Sequence, residues 1–115
     1  MVGIRGAITV ESNEKDAIIA ATRELLSEII KENELSEGEI VAIIFSSTKD
    51  LTKAFPAEAA RKMGYNETAL FCCQELCIEE SIERCVRVLI FADGDRLNKK
   101  TVKFVYLKGA KALRS

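Results

Sequence analysis

The chain has no histidine, and that absence removes the commonest general base near neutral pH, the usual catalytic triads and the commonest metal ligand. It also has little net charge. Lysine plus arginine number 17 against 18 aspartates and glutamates, so no whole-molecule field would attract a polyanion, and nucleic acid is a poor partner. The longest apolar runs are about strand length, well short of the roughly 20 residues a bilayer span needs. No membrane association is expected. The start, MVGIRGAITV, lacks the charged, apolar and cleavage regions of a signal peptide, which points to the cytoplasm. GIRGA contains two glycines in neither a GxGxxG nor a GxxxxGK[ST] spacing, so a phosphate loop is unsupported.

What is present suits one globular domain spanning residues 1–115, since 48% apolar content over this length can bury one core and not two. Four cysteines, Cys72, Cys73, Cys77 and Cys85, crowd one quarter of the chain. Their C-C-x3-C-x7-C spacing matches no zinc signature, and a reducing compartment would keep them as thiols. No metal is expected. At least three of the four should behave as small core hydrophobes.

The segment from Val2 to Val10 alternates as a half-buried strand, with Val2, Ile4, Ile8 and Val10 on one side and Gly3, Arg5, Ala7 and Thr9 on the other. Ser12 and Asn13 can cap a helix of about five turns in which Ala17, Ile18, Ala21, Leu25 and Ile29 recur on one face. Glu39 to Ser46 reads as a largely buried strand. Pro56 fits the first position of a short helix over Ala57 to Met63, closed by Gly64 in a left-handed conformation, with Phe55 at its mouth. Thr68 to Cys73 and Arg84 to Ala92 are further strands, Asp93 to Lys100 is a loop, and a last extended piece runs from Val102 to Leu107. Strands alternating with two helices give an α/β or α+β layer without repeats or linkers.

Within Arg84 to Ala92, Arg87 shares a face with Cys85, Leu89 and Phe91, which predicts a cation among apolar neighbours. Such a group must be paired or ligand-bound. Glu75 and Glu79 are the candidate internal partners, and an anion site is the functional alternative. Arg5 is flanked along its face by Gly3, Ala7 and Thr9, which leaves open volume beside its guanidinium, the alternative being a surface arginine on an edge strand. Were the two strands to meet in one sheet or at a subunit interface, Arg5 and Arg87 could converge on a small dicarboxylate. By itself Glu75 reads as an ordinary loop carboxylate.

Five ordered pieces, GIRGAITVE, SSTKDLTKAFPAEAAR, CQE, CVRV and VYLKGAKALR, resemble the AroH-type chorismate mutase family nearly end to end. The resemblance implies an α+β fold in which a mixed β-sheet packs with two helices, and three subunits bring their sheets into a barrel-like core. It implies a cofactor-free [3,3] rearrangement of chorismate to prephenate, in aromatic amino-acid biosynthesis, in clefts shared by neighbouring subunits. By motif, Arg5 and Tyr106 would hold the substrate's side-chain carboxylate, and Arg87 would reach that carboxylate and the ether oxygen. Glu75 and Cys72 would take the ring hydroxyl. Phe55, Ala57, Leu70 and Leu113 would line the pocket, Arg114 would close its mouth and Arg61 would support the rim.

One position departs from the family pattern, which often has lysine after FPA where this chain has Glu58. The carboxylate suits a helix N-terminus but not the neighbourhood of a dianion. Arg61, Lys62 and Lys111 are the cations that could compensate. Glu58 is also the one feature favouring an alternative role, a non-catalytic trimeric sensor of carboxylated ring compounds. A structural oligomerisation domain is a third reading, and it predicts internally paired arginines and no open cleft.

Overall fold

The computed structural model describes residues 1–113. Its elements run β1 (Val2–Thr9), α1 (Lys15–Glu32), β2 (Ile40–Ser47), α2 (Ala57–Lys62), β3 (Ala69–Gln74), β4 (Cys85–Ala92) and β5 (Val105–Leu107). Short 3-10 turns cover Glu37–Glu39 and Lys108–Leu113. The five strands form one mixed sheet in the order β3-β2-β4-β1-β5. β4 lies antiparallel to both β1 and β2, while β5 joins β1 and β3 joins β2 in parallel. Among the described residues no helix is long and apolar enough to cross a membrane. This is the α+β arrangement of a mixed sheet and two helices.

The alternation read in β1 decides which side of the sheet is buried. Val2, Ile4 and Ile8 of β1, with Val10 just beyond it, join Ile43 and Phe45 of β2 and Val86, Val88, Ile90 and Ala92 of β4 in the core. Helix α1 covers that face with Ile18, Ala21, Leu25, Leu26 and Ile29, a stripe at helical spacing. Gly6 permits the close approach, because a Cβ there would lie 2.6 Å from Ile29 Cδ1 and 3.0 Å from the Val105 carbonyl oxygen. Beyond α2, Gly64 takes the left-handed conformation that its position predicts, with φ of +100°.

On the other face neither α1 nor α2 packs, and the 3-10 turn Lys108–Leu113 covers only the corner where Ala7 and Cys85 are buried with Ala110. Ala42, Ile44, Leu89 and Phe91 are half-buried there, and Phe71 on the edge strand β3 is 66% exposed. Two expectations change for this reason. β2 is buried on one side rather than largely buried, and Val41, extruded at an irregularity between Ile40 and Ala42, is exposed. Only Cys85 of the cysteines is a core residue, with Cys72 half-buried and Cys73 and Cys77 exposed, because β3 is an edge strand and Cys77 follows it.

The start of α1 also differs from expectation. Glu14 occupies the cap position without a side-chain cap bond. Asn13 instead spans to the loop before α2, donating from Nδ2 to Thr52 Oγ1 at 2.9 Å and accepting the Thr52 N–H at 2.9 Å. Its amide thus links two segments.

Candidate functional site

Because β4 lies between β1 and β2, its open-face residues sit beside those of both neighbours. Ala7 and Ser46 flank Arg87, and Arg5 pairs with Leu89. Tyr106 arrives on the far side of β1 opposite Ala7. The sheet therefore gathers Arg5, Arg87, Glu75, Tyr106 and Leu113 around one cavity of about 410 Å³. These residues are as much as 108 positions apart in the chain (Arg5 to Leu113), and the strand pairing, with the segments that follow β3 and β5, brings them together.

Arg87 is not enclosed by apolar neighbours as its strand position suggests. Its side chain is 44% exposed, since the face it occupies is the uncovered one. Of the two expected acidic partners, Glu75 is the one it meets, with Nε 3.1 Å from Oε2. The same oxygen accepts a hydrogen bond from Ser46 Oγ at 2.8 Å. Glu75 is consequently fixed through one oxygen, and the Nη end of the Arg87 fork is not committed to it. Arg5 is held otherwise, donating from Nη2 to Tyr106 Oη at 2.9 Å.

A second cavity of about 470 Å³ collects another part of the expected set. Phe55 and Cys72 line it, with Lys15, Leu51, Lys53 and Glu58 among their neighbours. Cys73 and Gln74 border both cavities. Ala57 and Leu70 contribute to the core and line neither cavity, and Arg61 is exposed on α2 away from both. Arg114 lies outside the described residues.

The charge of Glu58 is offset locally. Its Oε2 lies 3.8 Å from Lys15 Nζ and 3.6 Å from Lys62 Nζ, so two ammonium groups flank one carboxylate. Lys62 was among the expected compensating residues, whereas Lys15 was not. Sequence reasoning also missed Ser46, although a serine ending an apolar strand at the parity of Ile44 was a usable sign. Nothing in the sequence around Lys15 announces that α1 begins beside α2.

Cys85 lies under the site at 1% exposure, and burial raises its thiol pKa to about 11 against the partial opposition of Arg87. It is an inert thiol. Among the described residues the site thus offers two guanidinium groups, the Glu75 carboxylate and the hydroxyls of Ser46 and Tyr106. That inventory suits binding and charge stabilisation rather than covalent chemistry.

Comparison with known proteins identifies the family. The family model described as chorismate mutase type I matches residues 1–115. The chain is 45% identical over 113 residues to chorismate mutase AroH of Thermus thermophilus, covering 97% of this chain and 92% of that protein. It is 34% identical over 113 residues to chorismate mutase AroH of Bacillus subtilis, covering 97% and 88% respectively. Among solved structures, the chorismate mutase from Clostridium thermocellum superposes with a TM-score of 0.94 at 48% identity, over 97% of this chain and 99% of that one. With a sheet that assembles the arginine cavity and a match running from the first residue to the last, the chain belongs to the type I chorismate mutase family.

Proposed function

We propose that this chain is a chorismate mutase that converts chorismate to prephenate within aromatic amino-acid biosynthesis, using preorganised charge and no cofactor. The observation that carries the reading is the cavity of about 410 Å³ lined by both Arg5 and Arg87. The reaction breaks a carbon–oxygen bond as a carbon–carbon bond forms in the same molecule, so it requires no base and no nucleophile. A protein accelerates it by selecting the compact reactive conformer and by presenting positive charge where the ether oxygen becomes electron-rich.

In this reading the Nη end of Arg87 meets the ether oxygen. Arg5 and the Tyr106 hydroxyl take the side-chain carboxylate. The hydroxyl accepts from Arg5, so its own proton is free to be donated to the ligand. Glu75, engaged through Oε2, keeps Oε1 for the ring hydroxyl. Cys72 assists from the second cavity, and Phe55 packs against the ring. Because Lys15 and Lys62 flank Glu58, a carboxylate at that position is compatible with a dianionic substrate, and the sensor alternative loses its motive.

The working unit is a homotrimer in the cytoplasm, with each active site composed of the arginine cavity of one protomer and the Phe55–Cys72 cavity of the next. Two features support it. The expected site residues divide between two cavities of a single protomer, and the apolar open face that includes Phe71 lacks a covering layer. A direct assay is prephenate formation from chorismate by the purified protein. Absence of turnover with binding retained would return the sensor reading. Mixing two inactive variants, Arg87→Ala and Phe55→Asp, should regenerate activity in hybrid trimers. No recovery would show that each site belongs to one chain.

A further inference from the structure

The two arginines of the cavity are restrained by opposite means. Arg87 faces a carboxylate at 3.1 Å, whereas among the described residues no carboxylate forms an ion pair with Arg5. Besides its hydrogen bond to Tyr106, the Arg5 guanidinium has its Cζ 5.3 Å from the centroid of the Phe104 ring. That distance is within the range of a cation–π contact.

Phe104 is otherwise hard to account for. It is 45% exposed, it lies outside the core, and it borders a further cavity of about 510 Å³ that shares Arg5, Tyr106 and Leu113 with the arginine cavity. Its backbone is nonetheless firmly anchored. Asn33, buried at 6% exposure, accepts the Lys103 N–H at 2.7 Å and donates to the Lys103 carbonyl at 2.9 Å. The same amide also donates to the Ile29 carbonyl at 3.0 Å, so the end of α1 fixes the residue next to Phe104.

We propose that Phe104 is a positioning residue for Arg5, its ring face holding the guanidinium at the cavity without neutralising it. A carboxylate in its place would restrain the arginine equally well but would cancel the charge needed for the substrate. An aromatic face attracts the cation through its quadrupole and leaves the net charge available. The inference rests on Arg5 binding a substrate carboxylate, as proposed above.

The test is steady-state chorismate turnover by Phe104→Leu, Phe104→Tyr, Arg5→Ala and the double variant Arg5→Ala/Phe104→Leu, with melting temperatures measured alongside. Phe104→Leu keeps apolar bulk but loses the π face, and should raise KM about fivefold with little change in kcat or in melting temperature. Phe104→Tyr should return KM to within about twofold of the parent, and the double variant should be no worse than Arg5→Ala. An unaltered KM in Phe104→Leu, equal losses in the Leu and Tyr variants, or additive losses in the double variant would overturn the proposal. If Arg5→Ala itself leaves KM unchanged, the role given to Arg5 fails. If only the Phe104 variants are silent, Arg5 keeps its role and Phe104 loses its own.

Discussion

Ser46 and Arg87 face one another across β2 and β4, and both contact the same oxygen of Glu75. The serine therefore holds the carboxylate in place even if the arginine is removed, which separates the chemistry of Arg87 from its part in local structure. We expect Arg87→Ala to lower kcat by a factor of about a hundred to a thousand, the effect of deleting one preorganised donor to a developing oxyanion. Stability should change by about 1 kcal/mol or less, because the ion pair is half-exposed. Activity within threefold of the parent, measured by prephenate formation, would remove Arg87 from the mechanism.

Glu58 shares its carboxylate between Lys15 and Lys62 on the Phe55 side of the site. Glu58→Gln keeps the shape and removes the negative charge, so two ammonium groups are left uncompensated near a dianionic ligand. KM for chorismate should fall about two- to threefold with kcat unchanged, an effect sized to exposed ion pairs and weakened by salt. A rise in KM would mean that the carboxylate orients the lysines rather than offsetting them.

Gly6 faces α1 with no room for a side chain. An added methyl would lie 2.6 Å from Ile29 Cδ1 and 3.0 Å from the Val105 carbonyl oxygen. The ends of leucine and isoleucine side chains can shift, but the β5 backbone cannot move without disturbing its pairing with β1. Gly6→Ala should cost about 1–3 kcal/mol, the range for overpacking a close-packed core. Chemical denaturation measures it, and a variant as stable as the parent would show that α1 and β5 can move apart freely.

Burial holds the Cys85 thiol neutral, with a pKa of about 11 in the folded chain against 9.0 for an unperturbed thiol. The folded state therefore keeps a proton that the unfolded state gives up first. This contribution is complete below pH 9 and is lost as pH rises from 9 towards 11, up to about 3 kcal/mol in all. Unfolding of the parent and of Cys85→Ala across that range should show the parent's advantage shrinking with pH. A constant difference would mean that the thiol titrates alike in both states. At pH 8, Cys73 and Cys77 should react with a thiol reagent in the native protein while Cys85 stays protected.

Much of this molecule can be read one residue at a time. The period of Val2, Ile4 and Ile8 assigns the buried side of β1, the spacing of Ile18, Leu25 and Ile29 assigns the inner stripe of α1, and Pro56 and Gly64 bracket α2. Ordered motifs also identify the family, since side-chain alternation and motif spacing are properties of the linear chain.

Partnership is another matter. That Glu75 rather than Glu79 meets Arg87, that Lys15 meets Glu58, that Asn13 ties to Thr52 instead of capping α1, and that Phe104 lies against Arg5 all follow from contacts between segments distant in sequence. The exposure of Arg87 is of the same kind, because period-two alternation tells which residues share a face but not whether a layer covers it. Sequence alone determined the elements, their inward faces and the inventory of charges. Strand order decided which charges meet and which stay open to a ligand, since pairing energy depends on distances that exist only once the sheet has formed.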